Sequence, residues 1–172
     1  MTDQASFEFL KSIELFAVFS DAELKALATS SKTLNFDLGD TIYASGDIPA
    51  GLCIVQKGRA RLFVEDHGKE TSHGIRKTGD VFAEIAALRN EPLEFSVRSS
   101  GKTQLVVIPR SALNKALESN PEAKKFIGSY VAITSAGGFV SRLFDLKNKL
   151  SNEELEKLID SVGIKRVAAG NV

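Results

Sequence analysis

The sequence predicts a mainly β domain, an all-β barrel or sandwich, with helices on both flanks. Three observations carry that expectation. Between Lys32 and Pro109, short apolar runs recur at roughly 8–12-residue spacing. Glycine-bearing turns punctuate them: Gly39-Asp40, Gly46-Asp47, Gly58, His67-Gly68, Gly79-Asp80 and Gly101-Lys102. On either side of this region the apolar residues return to helical spacing.

The elements follow in order. FEFLKSIELF forms a helix or turn that packs beside the next segment. SDAELKALATS places Ser20 as N-cap with Glu23 three positions later, a capping box, and puts Leu24, Leu27 and Ala28 on one face. The strand runs are TLNF, TIYA, LCIVQ, ARLFVE, the stretch around ETSHGIR, VF, FSVRS and QLVVI. ARLFVEDHGKETSHGI is the clearest hairpin, with His67-Gly68 at its tip. After Pro109, RSALNKALES carries Leu113, Ala116 and Leu117 on one side, and Asn120-Pro121 reads as the cap and first position of another helix. Along that helix Phe126, Tyr130, Ile133, Val140 and Phe144 recur at near-helical spacing, interrupted by Gly137-Gly138. Two readings stand: a core-facing stripe with a kink, or a hinge whose aromatic face docks a partner or a second copy, giving a homodimer through residues 121–150.

Bulk properties narrow the function classes. The chain has 172 residues, 43% apolar and 26% charged, which suits one soluble domain or one domain and a fragment. A formal net charge of zero leaves no basic footprint for nucleic acid. Cys53 is the only cysteine, so no intrachain disulfide forms and a reducing, cytoplasmic setting fits. Its neighbours in LCIV suit a buried small hydrophobe better than a reactive thiol. MTDQASFEFLKS does not read as a signal peptide. FIGSYVAITSAGGFV, the least charged run, is too short and too rich in Gly, Ser and Thr to cross a bilayer, which takes ~20 apolar residues. No membrane contact is expected of this segment itself, whether the protein is cytoplasmic or the cytoplasmic portion of a membrane protein.

The tail aligns with an earlier stretch. SNEELEKLIDSVGIKRVAAGNV lies over SDAELKALATSSKTLNFDLGDT without a gap, bringing Ser151, Glu154, Leu155, Leu158, Ser161 and Gly170 onto Ser20, Glu23, Leu24, Leu27, Ser30 and Gly39. Any two capped amphipathic helices look alike, but the agreement continues past the helix to the glycine. Expected boundaries are therefore a first domain over 1–144, with its β region at about 32–109 and helices after 110. Residues 145–172 form a linker and the truncated start of a second, similar domain. The expected partners are other domains of the same longer chain.

LCIVQKGRARLF and GDVFAEIAAL, with Asn90 and Pro92 following, resemble the cyclic-nucleotide-binding domain family over roughly residues 13 to 144. The resemblance implies an eight-stranded β-roll, or jelly roll, with an N-terminal helix and C-terminal helices. It also implies a phosphate-binding cassette, where the family reads Gly-Asp, then Phe-Gly-Glu, then Leu-Ala-Leu, then an arginine after the proline. The corresponding site residues are Ala83, Glu84, Ile85, Ala86, Leu93, Glu94 and Phe95. Of the ligand groups only Glu84, whose counterpart accepts a ribose hydroxyl, is retained; Ala83 stands for the family's glycine and Leu93 for its arginine.

The chemistry then argues against the usual ligand. Burying a phosphate monoanion needs backbone N–H groups and a cation. A charge-assisted hydrogen bond contributes about 1.5–3 kcal/mol and an anion left unpaired in a partly buried pocket costs at least as much, so losing the arginine weakens binding by roughly two or more orders of magnitude. If Glu94 faces the pocket it adds repulsion, and Phe95 is placed to act as an aromatic plug or to point into the roll. Arg89 and Arg98 are candidate replacement cations, or simply solvated. No cofactor is expected, with a cyclic nucleotide disfavoured. His67 and His73 do not make a metal site, and no catalytic grouping points to an enzyme. The leading reading is a non-catalytic regulatory module in a tandem-domain protein, such as a toxin-secreting, peptidase-containing ABC exporter; the alternative is a cyclic-nucleotide or small-anion sensor with an altered pocket.

Overall fold

The computed structural model describes residues 7–130 of the chain. All of them fall within one compact unit, Met1–Val131. The segment aligned from Ser151 and the stripe from Ile133 onward, with Gly137-Gly138, lie outside the described residues.

Helical elements open the domain. α1 (Phe7–Lys11) and a single 3-10 turn at Glu14–Phe16 lead into α2 (Asp21–Ser30). The capping box forms as expected: the Ser20 hydroxyl accepts from the Glu23 N–H at 3.3 Å, and the Glu23 carboxylate accepts from the Ser20 N–H at 2.8 Å. Eight strands follow among the described residues: β1 (Lys32–Phe36), β2 (Thr41–Tyr43), β3 (Gly51–Lys57), β4 (Arg59–Asp66), β5 (Lys69–Lys77), β6 (Val81–Phe82), β7 (Ser96–Ser99) and β8 (Thr103–Pro109). A short helix α3 (Glu84–Arg89) interrupts them between β6 and β7. Two helices close the described part, α4 (Arg110–Ser119) and α5 (121–130). Asn120 links the two, its side-chain oxygen accepting from the Ala123 N–H at 2.9 Å, so the Asn-Pro start of α5 is a working cap.

The strands form two four-stranded antiparallel sheets, ordered β1-β8-β3-β6 and β2-β7-β4-β5. This is the mainly β roll that the sequence led us to expect. Its pattern of burial explains why LCIV and LVVI read as unbroken apolar runs. Cys53, Val55, Leu105 and Val107 point between the sheets, against Ala60, Leu62 and Val97. Leu52, Ile54, Val106 and Ile108 point the other way, into a second cluster with Phe16, Leu24, Leu27, Leu113 and Leu117 from the helices. Central strands buried on both faces need no alternation of polar and apolar residues.

Turn chemistry fits the local sequence closely. His67 (φ 50°) and Gly68 (φ 77°) are both left-handed, as a two-residue type I′ hairpin between β4 and β5 requires. The Gly-Asp pairs share one design. In each, glycine takes a positive φ (87°, 96° and 91° at Gly39, Gly46 and Gly79), and the Asp N–H donates to the carbonyl three residues back. The Asp carboxylate then accepts from the N–H of that same residue, Asp37, Ala44 or Lys77, at 2.8 Å.

Candidate functional site

The cassette begins where the Gly79-Asp80 turn hands the chain from β5 to β6 and then to α3. Ala83, at the N-cap of α3, sits at φ 62°, ψ 17°; Asn90, at its C-cap, sits at φ 58°, ψ 41°. Both are left-handed, and neither is glycine. Past Pro92 the backbone of Leu93 is held from both sides by the loop between β2 and β3. Its N–H donates to the Asp47 carbonyl at 2.9 Å and its carbonyl accepts from the Gly46 N–H at 2.8 Å. The cassette's far end is thus pinned to the roll chiefly by main chain, with the Ser45 hydroxyl also donating to the Leu93 carbonyl at 3.4 Å.

The residues assigned to the site from sequence go to four different places. Ala83, Ala86 and Leu93 come together in the apolar cluster between the sheets, and Leu93 is only 4% exposed. Phe95 is half-buried at the margin of that cluster, so the fully covered large side chain here is Leu93, not the aromatic plug considered for Phe95. Ile85 turns the opposite way and packs against the helix-side cluster, as neighbouring positions of a helix must. Glu94 is exposed, one residue beyond the backbone that the β2–β3 loop holds.

Glu84 is the polar residue of this group that stays close to the interior. Burial pushes its carboxyl above the usual carboxylate range, opposed by its own backbone N–H and by the Arg76 guanidinium. Around it lie Cys53, whose thiol burial pushes up to about 12, and Tyr130 on α5, whose phenol is raised by burial and by the Glu84 charge. The Cys53 sulfur lies 3.7 Å from the Tyr43 hydroxyl and is fully buried, so the thiol stays protonated and unreactive, as its apolar neighbours implied.

Arg76, on β5, escaped the sequence reading. It occupies a half-buried position three residues before the cassette glycine and acts on Glu84 and Tyr130 through charge. Nothing local marks it out, because β5 is largely exposed and carries no alternation. The two arginines considered as replacement cations lie elsewhere. Arg89 is exposed at the end of α3. Arg98 binds Glu70 at 2.8 Å and stacks 4.5 Å from the Phe63 ring centre, beside Arg61, which meets the other Glu70 oxygen at 2.7 Å. Those two guanidinium groups hold the Glu70 carboxyl below its usual range, Arg98 the more strongly. Among the described residues no cluster of His, Cys, Asp and Glu is suited to a metal, and no helix is long and apolar enough to cross a membrane.

Two four-stranded antiparallel sheets, a short helix bracketed by left-handed residues between β6 and β7, and helices before and after the strands define a β-roll domain. Residues 33–120 match the model of the cyclic nucleotide-binding domain, and the chain belongs to that family. A cyclic nucleotide-gated channel of Caenorhabditis elegans is 31% identical over 130 residues, covering 72% of this chain and 18% of the channel. The regulatory domain of Toxoplasma gondii PKA, crystallised with cAMP, superposes with a TM-score of 0.65 at 20% identity, covering 76% of this chain and 48% of that one. Thermus thermophilus catabolite activator protein superposes with a TM-score of 0.66 at 16% identity, covering 91% of both chains. The chain therefore spans about a fifth of the channel it matches, and the likeness to these two structures is one of fold.

Proposed function

We propose that this domain is a non-catalytic regulatory module that keeps the family's frame and binds cAMP or cGMP poorly. One observation carries the reading: the position that follows the cassette proline is an apolar side chain packed into the roll. A buried anion there meets Leu93 instead of a guanidinium, and an unpaired charge in such a place costs more than a single charge-assisted bond returns. Glu84 in the same cassette adds no compensation, since a carboxyl group carries no positive charge to set against the phosphate.

The larger setting is part of the same proposal. The alignment from Ser151 onto Ser20 supports a tandem pair of such domains in a longer, cytoplasm-facing protein, with a toxin-secreting ABC exporter as the candidate parent. In that setting the input comes from a neighbouring domain or another ligand, and α4 and α5 carry it onward. A second reading has one observation in its favour. Arg76 brings a cation towards Glu84, which suits a sensor for a different small anion.

Calorimetry with a panel of cyclic mono- and dinucleotides tests the first reading. No binding is expected in the micromolar range. Micromolar binding that disappears in Glu84→Ala overturns it.

A further inference from the structure

Arg110 is the first residue of α4, and its placement is electrostatically poor for that helix. A cation in the first turn opposes the helix dipole, and no acidic residue in that turn offsets it. Its side chain explains the placement. The Arg110 Nε donates to the Ala87 carbonyl at 2.6 Å, and Nη2 donates to the Pro49 carbonyl at 2.9 Å. The Arg110 backbone N–H reaches the Ala50 carbonyl at 3.1 Å.

Ala87 lies in the last turn of α3, where carbonyls lack partners within the helix. The N–H four residues on, from Glu91, is turned to the Ala86 carbonyl instead. Arg110 therefore caps the C-terminal end of the cassette helix from outside, where its positive charge is favourable. Pro49 and Ala50 belong to the same loop whose Gly46 and Asp47 grip the Leu93 backbone. The contacts close a ring: α3 to Arg110, Arg110 to the loop, the loop to Leu93, and Leu93 back to α3 along the chain.

We propose that Arg110 is a positioning residue that makes the cassette and the start of the exit helices move as one body. This rests on the regulatory reading above, in that the cassette takes an input and the exit helices deliver it. Direct packing joins α3 to α4 as well, through Ala87, Leu113 and Leu117 in the helix-side cluster, but Leu93 lies in the cluster between the sheets, so Arg110 is the polar link that ties the Leu93 end of the cassette, by way of the loop, to α4.

The test is a coupling measurement by backbone amide hydrogen exchange. Leu93→Ala loosens the cassette's far end, and exchange is read in α3 and in α4. In the parent chain Leu93→Ala speeds exchange in both helices. In an Arg110→Met background the same change still acts on α3, while its effect on α4 falls by about fivefold, the low end of typical couplings between sites. Arg110→Lys keeps the charge and loses the fork that reaches two carbonyls, so it gives an intermediate response. An α4 response to Leu93→Ala that is undiminished in Arg110→Met overturns the proposal; if that variant does not fold, an undiminished response in Arg110→Lys does so. Nucleotide calorimetry does not enter this readout, so the binding reading and the coupling reading fail separately.

Discussion

The Gly-Asp turns and the cassette helix make the same demand on the backbone and meet it differently. At Gly39, Gly46 and Gly79 a positive φ falls on glycine, which adopts it without strain, and the following Asp locks the turn with its carboxylate. At Ala83 and Asn90 a positive φ falls on residues with a Cβ. Asn tolerates that conformation; Ala does so at about 1–2 kcal/mol. The turns are local solutions, in which the residue and its geometry agree. The cassette geometry is imposed from outside, by Arg110 on the last turn of α3 and by the β2–β3 loop on Leu93 just beyond it. A site can thus keep its shape after its own residues have ceased to favour that shape.

The comparison is sharpest where glycine is needed for two reasons at once. Gly58, between β3 and β4, has φ 82°, and a Cβ added there would lie 2.2 Å from the Lys102 carbonyl oxygen. That carbonyl cannot retreat easily. The turn carrying it is tied to Arg59 by the Thr103 hydroxyl at 2.8 Å and by the Ser100 N–H at 2.9 Å. Gly58→Ala is expected to lower stability by about 3 kcal/mol or more, read from the urea midpoint at constant slope. A loss under about 1 kcal/mol would show that the turn yields, and that residue and geometry are not matched there as argued.

What could be read from the sequence divides along the same line. The strands, the hairpin at His67-Gly68, the Ser20 capping box and the Asn-Pro helix start are local agreements between residue and conformation, and each formed where the pattern put it. The two-sided burial of LCIV and LVVI was visible as unbroken hydrophobicity, although not which sheet would lie on which face. The cassette was visible in outline through Gly79, Glu84 and Pro92. Its interior was not: Leu93 turning inward while Glu94 turns out depends on hydrogen bonds to a loop 46 residues earlier in the chain, counted from Leu93 to Asp47. Arg76 and Arg110 act across the fold in the same way, on Glu84 and on the Ala87 and Pro49 carbonyls, and no short-range spacing announces either.

A paired exchange measures the imposed strain. Gly79→Ala meets only the Ile13 Cδ1 at 3.9 Å, so its effect is almost purely conformational and should be a loss of about 1–2 kcal/mol. Ala83→Gly is not its mirror image. Relief of strain is offset by glycine's larger unfolded-state entropy and by loss of a methyl that is 5% exposed among Ala86, Leu93 and Phe82. Those opposing effects are about 0.5–1 and about 0.8 kcal/mol, so the net change should be under about 1 kcal/mol in either direction. Equal and opposite midpoint shifts in the two variants would mean that the Ala83 methyl contributes no packing, and the cassette would then be strained without any compensation.

The smallest expected effect concerns charge. Burial raises the Glu84 carboxyl above its ordinary value, so within the window between the two values the folded chain binds more protons than the unfolded one. Stability contributed by this group therefore falls as pH rises through that window, and the full penalty persists above it. Glu84→Gln removes the penalty while keeping the shape. It should be the more stable form near neutral pH, with the difference closing as both are taken below about pH 4, where the carboxyl is neutral in folded and unfolded chains alike. Urea midpoints of the two proteins between pH 4 and pH 8 give the sign directly. If Arg76 outweighs burial, the order reverses: Glu84→Gln becomes the less stable at neutral pH, and the gap still closes in acid. That reversal would mark Glu84 and Arg76 as a matched pair, as local and self-consistent as the Gly-Asp turns, and the cassette would no longer stand apart from the rest of the roll in this respect.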